Sequence, residues 1–223
     1  MDFWPMVWGL AKGLGVSVEI FALTLLFSLP LGLAVAAGRM SKCWPLRQAM
    51  RIYISVMRGT PLMLQLFFFY FGPYYIFGWR LGDLGFWGID YRFIAVILGF
   101  SLNYAAYFAE IYRAGIESIA VGQWEAAEVL GFSKLQTFFR IVLPQVVKRI
   151  LPPVTNEVIT LVKDTSLAFA LSVMEMFTKA KMEAAAHTTM VPFMVAGLFY
   201  YILNFVVAAG MERIEKALSY YKG

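Results

Sequence analysis

Long stretches without a charged residue are the feature that most limits how this chain of 223 residues can fold. Four of them are predominantly apolar: Ile20–Gly38, Gly59–Trp79, Phe93–Ala109 and Thr188–Met211. A helix needs about 20 mostly apolar residues to cross a bilayer. Because 61% of the residues are hydrophobic and only 15% are charged, a water-soluble fold could not bury enough of its apolar surface. The sequence therefore predicts an integral membrane protein.

A fifth apolar stretch, Pro152–Met176, is interrupted by four charged residues: Glu157, Lys163, Asp164 and Glu175. It lacks the continuous polar face of a helix in water, so we predict a span whose polar side faces protein or a water-filled cavity. Glu19 and Glu175 lie nearer the outer ends of their spans, and we expect them to be solvated or ion-paired. The predicted fold is a single all-α membrane domain with five transmembrane helices, at about residues 14–38, 55–79, 91–113, 152–176 and 188–211.

The distribution of lysine and arginine predicts the orientation. Most of the 19 Lys and Arg residues fall between the first and second spans, between the third and fourth, and after the fifth. Short loops rich in Lys and Arg remain on the cytoplasmic side. We therefore expect the N-terminus outside, the C-terminus inside and a multi-pass location in the cell membrane. This distribution also accounts for the net charge of +5 without a nucleic-acid partner.

The segment between the third and fourth spans, about residues 114–150, is here called the long loop. Within it, Gln123–Leu130 is rich in good helix formers, and Gly131 suits the position after a helix end. Ser133 can cap a second helix over Lys134–Val142, which we expect to end near Pro144. These two cytoplasmic helices fit either a docking device for another protein or an amphipathic hairpin on the membrane surface, and local pattern alone favours neither.

The long loop also carries a recognisable motif. Glu125, Ala126 and Ala127 are followed after three residues by Gly131 and after nine more by Ile141–Pro144. This pattern resembles the EAA loop of bacterial ABC importer permeases, in which a short helix fits a groove on the ATP-binding subunit. The resemblance implies an ATPase-coupling set in this chain, consisting of Gln123, Glu125, Ala126, Ala127, Gly131 and Pro144.

Further segments resemble the polar amino-acid uptake branch of the same family. They are RGTPL at 58–62, YFAEIYRAGI at 107–116 running into GQWEAA at 122–127, NE at 156–157 and KDTSL at 163–167. The resemblance extends from about Gly13 to the C-terminus. It implies the membrane-spanning subunit of an ATP-driven importer of polar amino acids, with basic amino acids as a narrower hypothesis.

The resemblance also implies partners. They are an ABC ATPase, a second copy of the permease or a homologous permease, and an extracellular or periplasmic amino-acid-binding protein. The sequence contains no G-x-x-x-x-G-K-[ST] phosphate loop, so this chain is not expected to bind ATP by that route. We expect a non-catalytic subunit without a cofactor or metal of its own, with ATP and Mg on the partner ATPase.

Polar residues in the third and fourth predicted spans recur at helical spacing, which places each set on one helix face. If the two faces meet, they line a cleft for a zwitterionic amino acid, whose α-ammonium would meet a carboxylate. Lys163, Arg58 or an opened helix N-terminus could then meet the α-carboxylate. The candidate substrate-binding residues are Thr60, Asn103, Tyr107, Glu110, Glu157, Thr160 and Asp164.

Alternatives to this assignment remain open. The polar groups could satisfy one another, with Lys163 neutralising Glu110 and Asp164 capping a kinked backbone. An ion-coupled secondary carrier would use the intramembrane acids and lysine as a relay, but the few spans, the lack of inverted repeats and the EAA pattern argue against it. A membrane enzyme would need a catalytic set that the sequence does not offer.

Overall fold

The computed structural model describes residues 2–85 and 88–218, and in these ranges the regular structure is helical, with no strand. Short 3₁₀ turns at Leu81–Leu84 and Thr165–Leu171 and one π-helical turn at Phe138–Val142 accompany the α-helices. The α-helices are α1 (Phe3–Arg39), α2 (Trp44–Gly59), α3 (Leu62–Phe77), α4 (Tyr91–Glu117), α5 (Val121–Val129), α6 (Lys134–Thr137), α7 (Leu143–Asp164), α8 (Met176–His187) and α9 (Val191–Leu218).

Three of these helices, α1, α4 and α9, are long and apolar enough to cross a membrane. The pair α2 and α3 qualifies as a fourth span if it is taken together, although its two helices are bent by 112°. The prediction of an all-α membrane protein is confirmed in this form, with three or four candidate spans. The more polar α7 is not among them.

The second predicted span, 55–79, is two helices rather than one. Thr60 has an extended backbone, with φ −120° and ψ 147°, and separates α2 from α3. A residue that precedes proline is disfavoured in the α region because the proline ring clashes with its backbone, and Pro61 follows directly. The same Pro61 has no N–H to donate and begins α3 as its N-cap. The first predicted span also differs, since α1 begins at Phe3 rather than near residue 14.

The chain around the fourth predicted span, 152–176, changes helix type. The helix α7 ends at Asp164, a 3₁₀ turn runs to Leu171, and α8 begins at Met176. The expected helix end near Pro144 is wrong, because Pro144 lies in the first turn of α7. Proline is tolerated there since the first N–H groups of a helix have no intrahelical partner. The long loop therefore continues into α7 through the π-helical turn.

The core is built where α1 packs along α4. Small residues on α1 allow a close approach, as is typical of helix contacts in membranes. At Gly32 an added Cβ would lie 2.9 Å from Cβ of Phe108, so the two backbones are nearly in contact. Phe100, Tyr104 and Phe108 of α4 are fully or almost fully buried. The buried small residues of α1 also include Ser17, Thr24 and Ser28.

The N-terminal half of α1 packs against α8 and α9. An added Cβ at Gly13 would lie 2.8 Å from Cα of Met176, so α1 directly abuts the first residue of α8. A small apolar cluster surrounds this contact and joins the three helices; its buried members are Met6, Leu10, Met176, Ala180 and Ala196.

Glu175 is the N-cap of α8, and the expectation that it is solvated or ion-paired is wrong. Its side chain has no exposed surface. It accepts hydrogen bonds of 2.6 Å from the backbone N–H groups of Phe177 and Thr178, and others from the hydroxyls of Thr178 and Tyr200. Ser17 of α1 donates a longer one of 3.4 Å. Unpaired N–H groups at a helix start stabilise a carboxylate. In this buried site they take the place of the solvation that was expected for Glu175.

Candidate functional site

The break between α2 and α3 is fixed by two buried amides. Nε2 of Gln65 donates to the carbonyl oxygens of Met57 and Thr60 and to the Thr60 hydroxyl, at 2.9, 3.1 and 2.8 Å. Nδ2 of Asn103, on α4, donates to Met57 O at 2.9 Å and to Oε1 of Gln65 at 3.0 Å. These bonds satisfy backbone carbonyls that the interrupted helix leaves unpaired. The amide of Asn103 therefore positions the break.

A cavity of about 390 Å³, here called the first cavity, opens at this break. It brings together six of the seven predicted substrate-binding residues, from α2–α3, α4 and α7. The two polar faces predicted from helical spacing do meet in the structure. The residues that line the first cavity are Thr60, Pro61, Leu62, Asn103, Tyr104, Tyr107, Glu157, Thr160 and Asp164.

Tyr104 is a residue of the first cavity that sequence reasoning missed. Its ring is 2% exposed, and its hydroxyl donates to Oδ2 of Asp164 at 2.7 Å. The bond joins α4 to the end of α7. A tyrosine buried in a membrane helix needs a partner for its hydroxyl, so its position one residue after Asn103 was a usable signal. Gln65, an amide in an otherwise apolar run, gave the same kind of signal.

Glu110 is the predicted residue that does not line the first cavity. Its carboxylate pairs with Arg113 at 2.7 Å, and Arg113 also pairs with Glu117 at 2.5 Å. The alternative in which Lys163 neutralises Glu110 is therefore wrong, and Lys163 is exposed. Glu110 lines a second cavity, of about 500 Å³, between α4 and α7.

The second cavity adjoins the first and shares two of its lining residues, Tyr107 and Glu157. Arg58 lies at this boundary, with its guanidinium carbon 5.2 Å from the centre of the Tyr107 ring, a distance at which a cation is attracted to an aromatic face. The remaining lining residues follow α4 and α7 toward the long loop; they are Glu110, Ile111, Ala114, Gly115, Ser118, Arg149, Ile150 and Pro153.

The long loop has the predicted turn and helix cap, although its second helix, α6, is shorter than predicted and ends at Thr137. The helix α5 ends at Val129, and Gly131 follows with φ +77°, a conformation in which glycine carries no steric cost. Ser133 caps α6 in a capping box with Gln136, which satisfies two otherwise free N–H groups. Nε2 of Gln145 donates a hydrogen bond of 3.3 Å to Oε1 of Gln123, which joins α5 to the first turn of α7 beside Pro144.

Not all of the predicted coupling residues lie on the surface of the long loop. Ala127 is 1% exposed and so packs within the chain, whereas Glu125 and Ala126 are exposed. Large apolar side chains that sequence reasoning passed over are exposed in the same segment: Val121, Val129, Leu130, Leu135 and Phe139. Exposed apolar surface outside a membrane span is typical of an interaction site.

These helices and cavities define a multi-pass membrane protein with polar cavities among its helices. The sequence profile of the family described as "Binding-protein-dependent transport system inner membrane component" matches residues 28–220. The chain belongs to this family, and the resemblance to ABC importer permeases is confirmed.

Curated relatives match over almost the whole chain. The L-cystine transport system permease protein TcyB of Bacillus subtilis is 37% identical over 99% of this chain and 89% of its own length. The octopine transport system permease protein OccM of Rhizobium radiobacter is 34% identical over 96% of this chain and 88% of its own length. A putative glutamine transport system permease protein GlnP of Rickettsia conorii is 32% identical over 98% of this chain and 96% of its own length.

Solved structures share the fold. An amino acid ABC transporter crystallised with histidines aligns with a TM-score of 0.85 and 27% identity, over 97% of this chain and 99% of that chain. The inward-facing MetNI methionine ABC transporter aligns with a TM-score of 0.71 over 98% of this chain and 100% of that one. Its identity of 17% makes that likeness one of fold alone.

Proposed function

We propose that this chain is the membrane-spanning subunit of an ATP-driven ABC importer for polar amino acids. The observation that carries the proposal is the first cavity, where a broken helix pair, an amide, hydroxyls and two carboxylates meet inside a membrane protein of this family. Relatives whose names specify cystine, octopine or glutamine transport support amino acids and their derivatives as the substrate class.

The proposed topology has five membrane crossings, with the N-terminus outside and the C-terminus inside. In it, α2 and α3 together make the second crossing, and α7 with its following 3₁₀ turn makes the fourth. The polarity of α7 is then explained, because Glu157 and Asp164 face the first cavity rather than lipid. This orientation places the long loop in the cytoplasm.

In the first cavity, a carboxylate of Glu157 or Asp164 receives the α-ammonium group of the substrate. Asp164 is held by the hydroxyl of Tyr104, which fixes its direction. The α-carboxylate lies toward the start of α3, where Leu62 lines the cavity and the helix N-terminus favours negative charge. Because the first cavity holds two carboxylates, a substrate with a second positive charge fits it as well. Basic amino acids such as arginine are therefore tested beside neutral ones.

Coupling to ATP hydrolysis runs through the long loop. Glu125 is exposed and can pair with a basic residue of the ATPase, while the exposed Val129 and Leu130 supply apolar contact area. ATP binding closes the ATPase dimer, draws the long loops of two permease chains together and opens the path outward. Hydrolysis then restores the inward-facing state, and alternation around a fixed midplane site moves the substrate.

Reconstitution tests the proposal. The permease is placed in liposomes with a cognate ABC ATPase and a cognate amino-acid-binding protein, and labelled glutamine, cystine and arginine are supplied in turn. We expect uptake of at least one amino acid that needs ATP, the ATPase and the binding protein, and that continues when ion gradients are dissipated. Uptake without ATP that stops when a gradient is dissipated would establish the ion-coupled carrier instead.

A matched pair of variants tests the coupling route. Glu125→Lys should abolish ATP-dependent uptake and weaken co-purification of the ATPase, because it places like charges at the contact. Glu128→Lys makes the same charge change on the other exposed acid of α5 and should have the smaller effect. Equal losses in the two variants would show that the net charge of α5, and not the position of Glu125, supports docking.

A further inference from the structure

An apolar groove of about 520 Å³, here called the α1–α4 groove, lies between these two helices. Leu23, Phe27 and Leu31, at successive helical turns, line it on α1, and seven residues between positions 89 and 102 line it on α4 and the turn before it. Nine of the ten lining residues are hydrophobic. Phe27 is 50% exposed and Leu98 is 45% exposed, so the groove is open to the surroundings of the protein.

The α1–α4 groove faces away from the first cavity. Nine positions separate Leu98, in the groove, from Tyr107, in the first cavity. At 3.6 residues per turn, nine positions make about two and a half turns, so the two side chains leave α4 on opposite sides. Ile94 and Asn103 have the same relation. A second permease chain is expected on the side of the first cavity, toward the transport path, and the groove therefore faces lipid.

The length of the groove matches one leaflet of the bilayer. Phe93 and Leu102 are nine positions apart, about 14 Å along α4, and the hydrocarbon core of one leaflet is about 15 Å thick. In the proposed topology, α1 and α4 both run from the outside inward, so their earlier residues lie at the outer surface. The groove then extends from the outer headgroups to about the middle of the bilayer, which is the path of an acyl chain in the outer leaflet.

Two carboxylates lie at the outer end of the groove. Glu19 is exposed and precedes Leu23 by one helical turn, on the same face of α1. It lies 20 positions before Arg39, at the end of α1. This separation is about 30 Å, the thickness of the hydrocarbon core, so Glu19 is level with the outer headgroups. Asp90 directly follows Ile89, which lines the groove, and is the N-cap of α4.

Neither carboxylate has a strong ion pair within the chain. Glu19 has no Lys, Arg or His nitrogen within 4.0 Å in the described residues, 2–85 and 88–218. Asp90 lies 3.9 Å from Nε of Arg92, and both of these side chains are exposed. Exposed pairs of this kind contribute little free energy. Two acids at the end of an apolar groove favour a ligand that joins a positive headgroup to an apolar chain.

We propose that the α1–α4 groove binds one outer-leaflet phospholipid with a primary ammonium headgroup, such as phosphatidylethanolamine. One acyl chain lies along Phe27 and Leu98, and the ammonium group donates to Glu19 and Asp90. Phosphatidylcholine has no N–H to donate, and phosphatidylglycerol has no positive charge, so both bind less tightly. The proposal depends on the orientation given under the proposed function and is independent of which substrate is transported.

Two matched pairs of substitutions test the apolar and the charged part of the site separately. Leu98→Trp fills the groove from an exposed position, and Leu198→Trp makes the same change at an exposed position of α9. Glu19→Gln removes a carboxylate at the outer end and keeps its shape, and Glu183→Gln does so at a partly exposed acid of α8. None of these four residues lines the first or the second cavity.

Native mass spectrometry of the full assembly in mild detergent counts the lipid that each permease chain retains. The probes are dioleoyl forms of phosphatidylethanolamine, phosphatidylcholine and phosphatidylglycerol, added separately at equal concentration. We expect one phosphatidylethanolamine per permease chain, bound at least about tenfold more tightly than phosphatidylglycerol. Leu98→Trp should lose this lipid. Glu19→Gln should retain it with a preference of at most about threefold, and both controls should match the wild type.

Thermal unfolding gives a second measurement, because a ligand of the native state raises the unfolding midpoint. Phosphatidylethanolamine should raise the midpoint of the wild type and of Leu198→Trp, but not that of Leu98→Trp. An equal rise in the two tryptophan variants, or unchanged retention by Leu98→Trp, would overturn the groove as the binding site. Equal binding of phosphatidylethanolamine and phosphatidylglycerol by the wild type would overturn the headgroup site. A wild type that retains no lipid would overturn the whole proposal, whether or not the assembly transports amino acids.

Discussion

Replacing Gln65 by leucine removes the amide that joins α2, the break and α4. The amide has two hydrogens for the oxygens of Met57 and Thr60, and its oxygen accepts from Asn103, which makes three bonds at most. Side-chain hydrogen bonds between membrane helices average about 0.6 kcal/mol, with a maximum near 1.7. We therefore expect Gln65→Leu to lower the free energy of unfolding by about 2 kcal/mol, with an upper limit of about 5 kcal/mol.

Titration of the purified permease with SDS in mixed micelles, followed by circular dichroism, measures this free energy. The matched control is Gln48→Leu, the same change at a partly buried glutamine of α2 that does not take part in this network. Its free energy of unfolding should lie within about 0.5 kcal/mol of the wild type, as is usual for substitutions away from buried hydrogen-bond networks. A double-mutant cycle with Asn103→Ala isolates the coupling between the two amides.

The reasoning would be refuted if Gln65→Leu were as stable as the wild type, or if the cycle gave no coupling between positions 65 and 103. Either result would mean that the break is held by the packing of α3 alone. A loss equal to that of Gln48→Leu would carry the same meaning. Uptake in the reconstituted assembly should fall with stability in Gln65→Leu, because the break forms one wall of the first cavity.

Three further substitutions have expected outcomes in the same SDS titration or in hydrogen exchange. Gly115→Ala should lower the free energy of unfolding by about 1–3 kcal/mol through overpacking, because the added Cβ would lie 2.2 Å from Cγ2 of Ile150. A second substitution, Ile150→Ala, should recover part of this loss. No recovery would exclude the contact as the cause. Ser133→Ala should lower the free energy of unfolding by about 0.5–2 kcal/mol and speed amide exchange in the first turn of α6. Unchanged exchange would show that the Ser133 side chain does not cap this helix. Glu175→Gln should lower the free energy of unfolding by about 1.5–3 kcal/mol, since an amide nitrogen cannot accept the bonds that the carboxylate does. Its control is Glu183→Gln, at a partly exposed acid of α8 that lies 3.6 Å from His187, and equal effects would contradict a capping role.

The parts of the fold that sequence predicted best depend on short-range chemistry. The turn at Gly131 and the cap at Ser133 are set by residues within three positions of each other, and both occur as predicted. The two polar faces of the first cavity also follow from helical spacing alone. Helical spacing did not predict that the N–H groups of Asn103 donate to Met57 O and to Gln65 Oε1 at the break.

The parts that sequence missed depend on partners far away in the chain. The unwinding at Thr60 was hidden in an apolar run, and its stabilising amides lie 5 and 43 residues further on, at Gln65 and Asn103. Glu175 resembled a solvated acid because its near neighbours do not reveal Ser17 or Tyr200. The pairing of Glu110 with Arg113 was a local one, and helical spacing of three residues could have indicated it.

The contact between α1 and α8 determines how late in synthesis the N-terminal half of α1 finds its packing partner. Ser17 and Glu175 are 158 residues apart, and the ribosome adds about 5–20 residues per second. The N-terminal half of α1 therefore waits roughly 8–30 s in the membrane before its partner has been made. During that interval lipid or insertion factors must cover Gly13 and Ser17. A chain shortened before α8 should thus leave α1 packed on α4 through Gly32 and Phe108 but uncovered at Gly13 and Ser17, where α8 would otherwise lie.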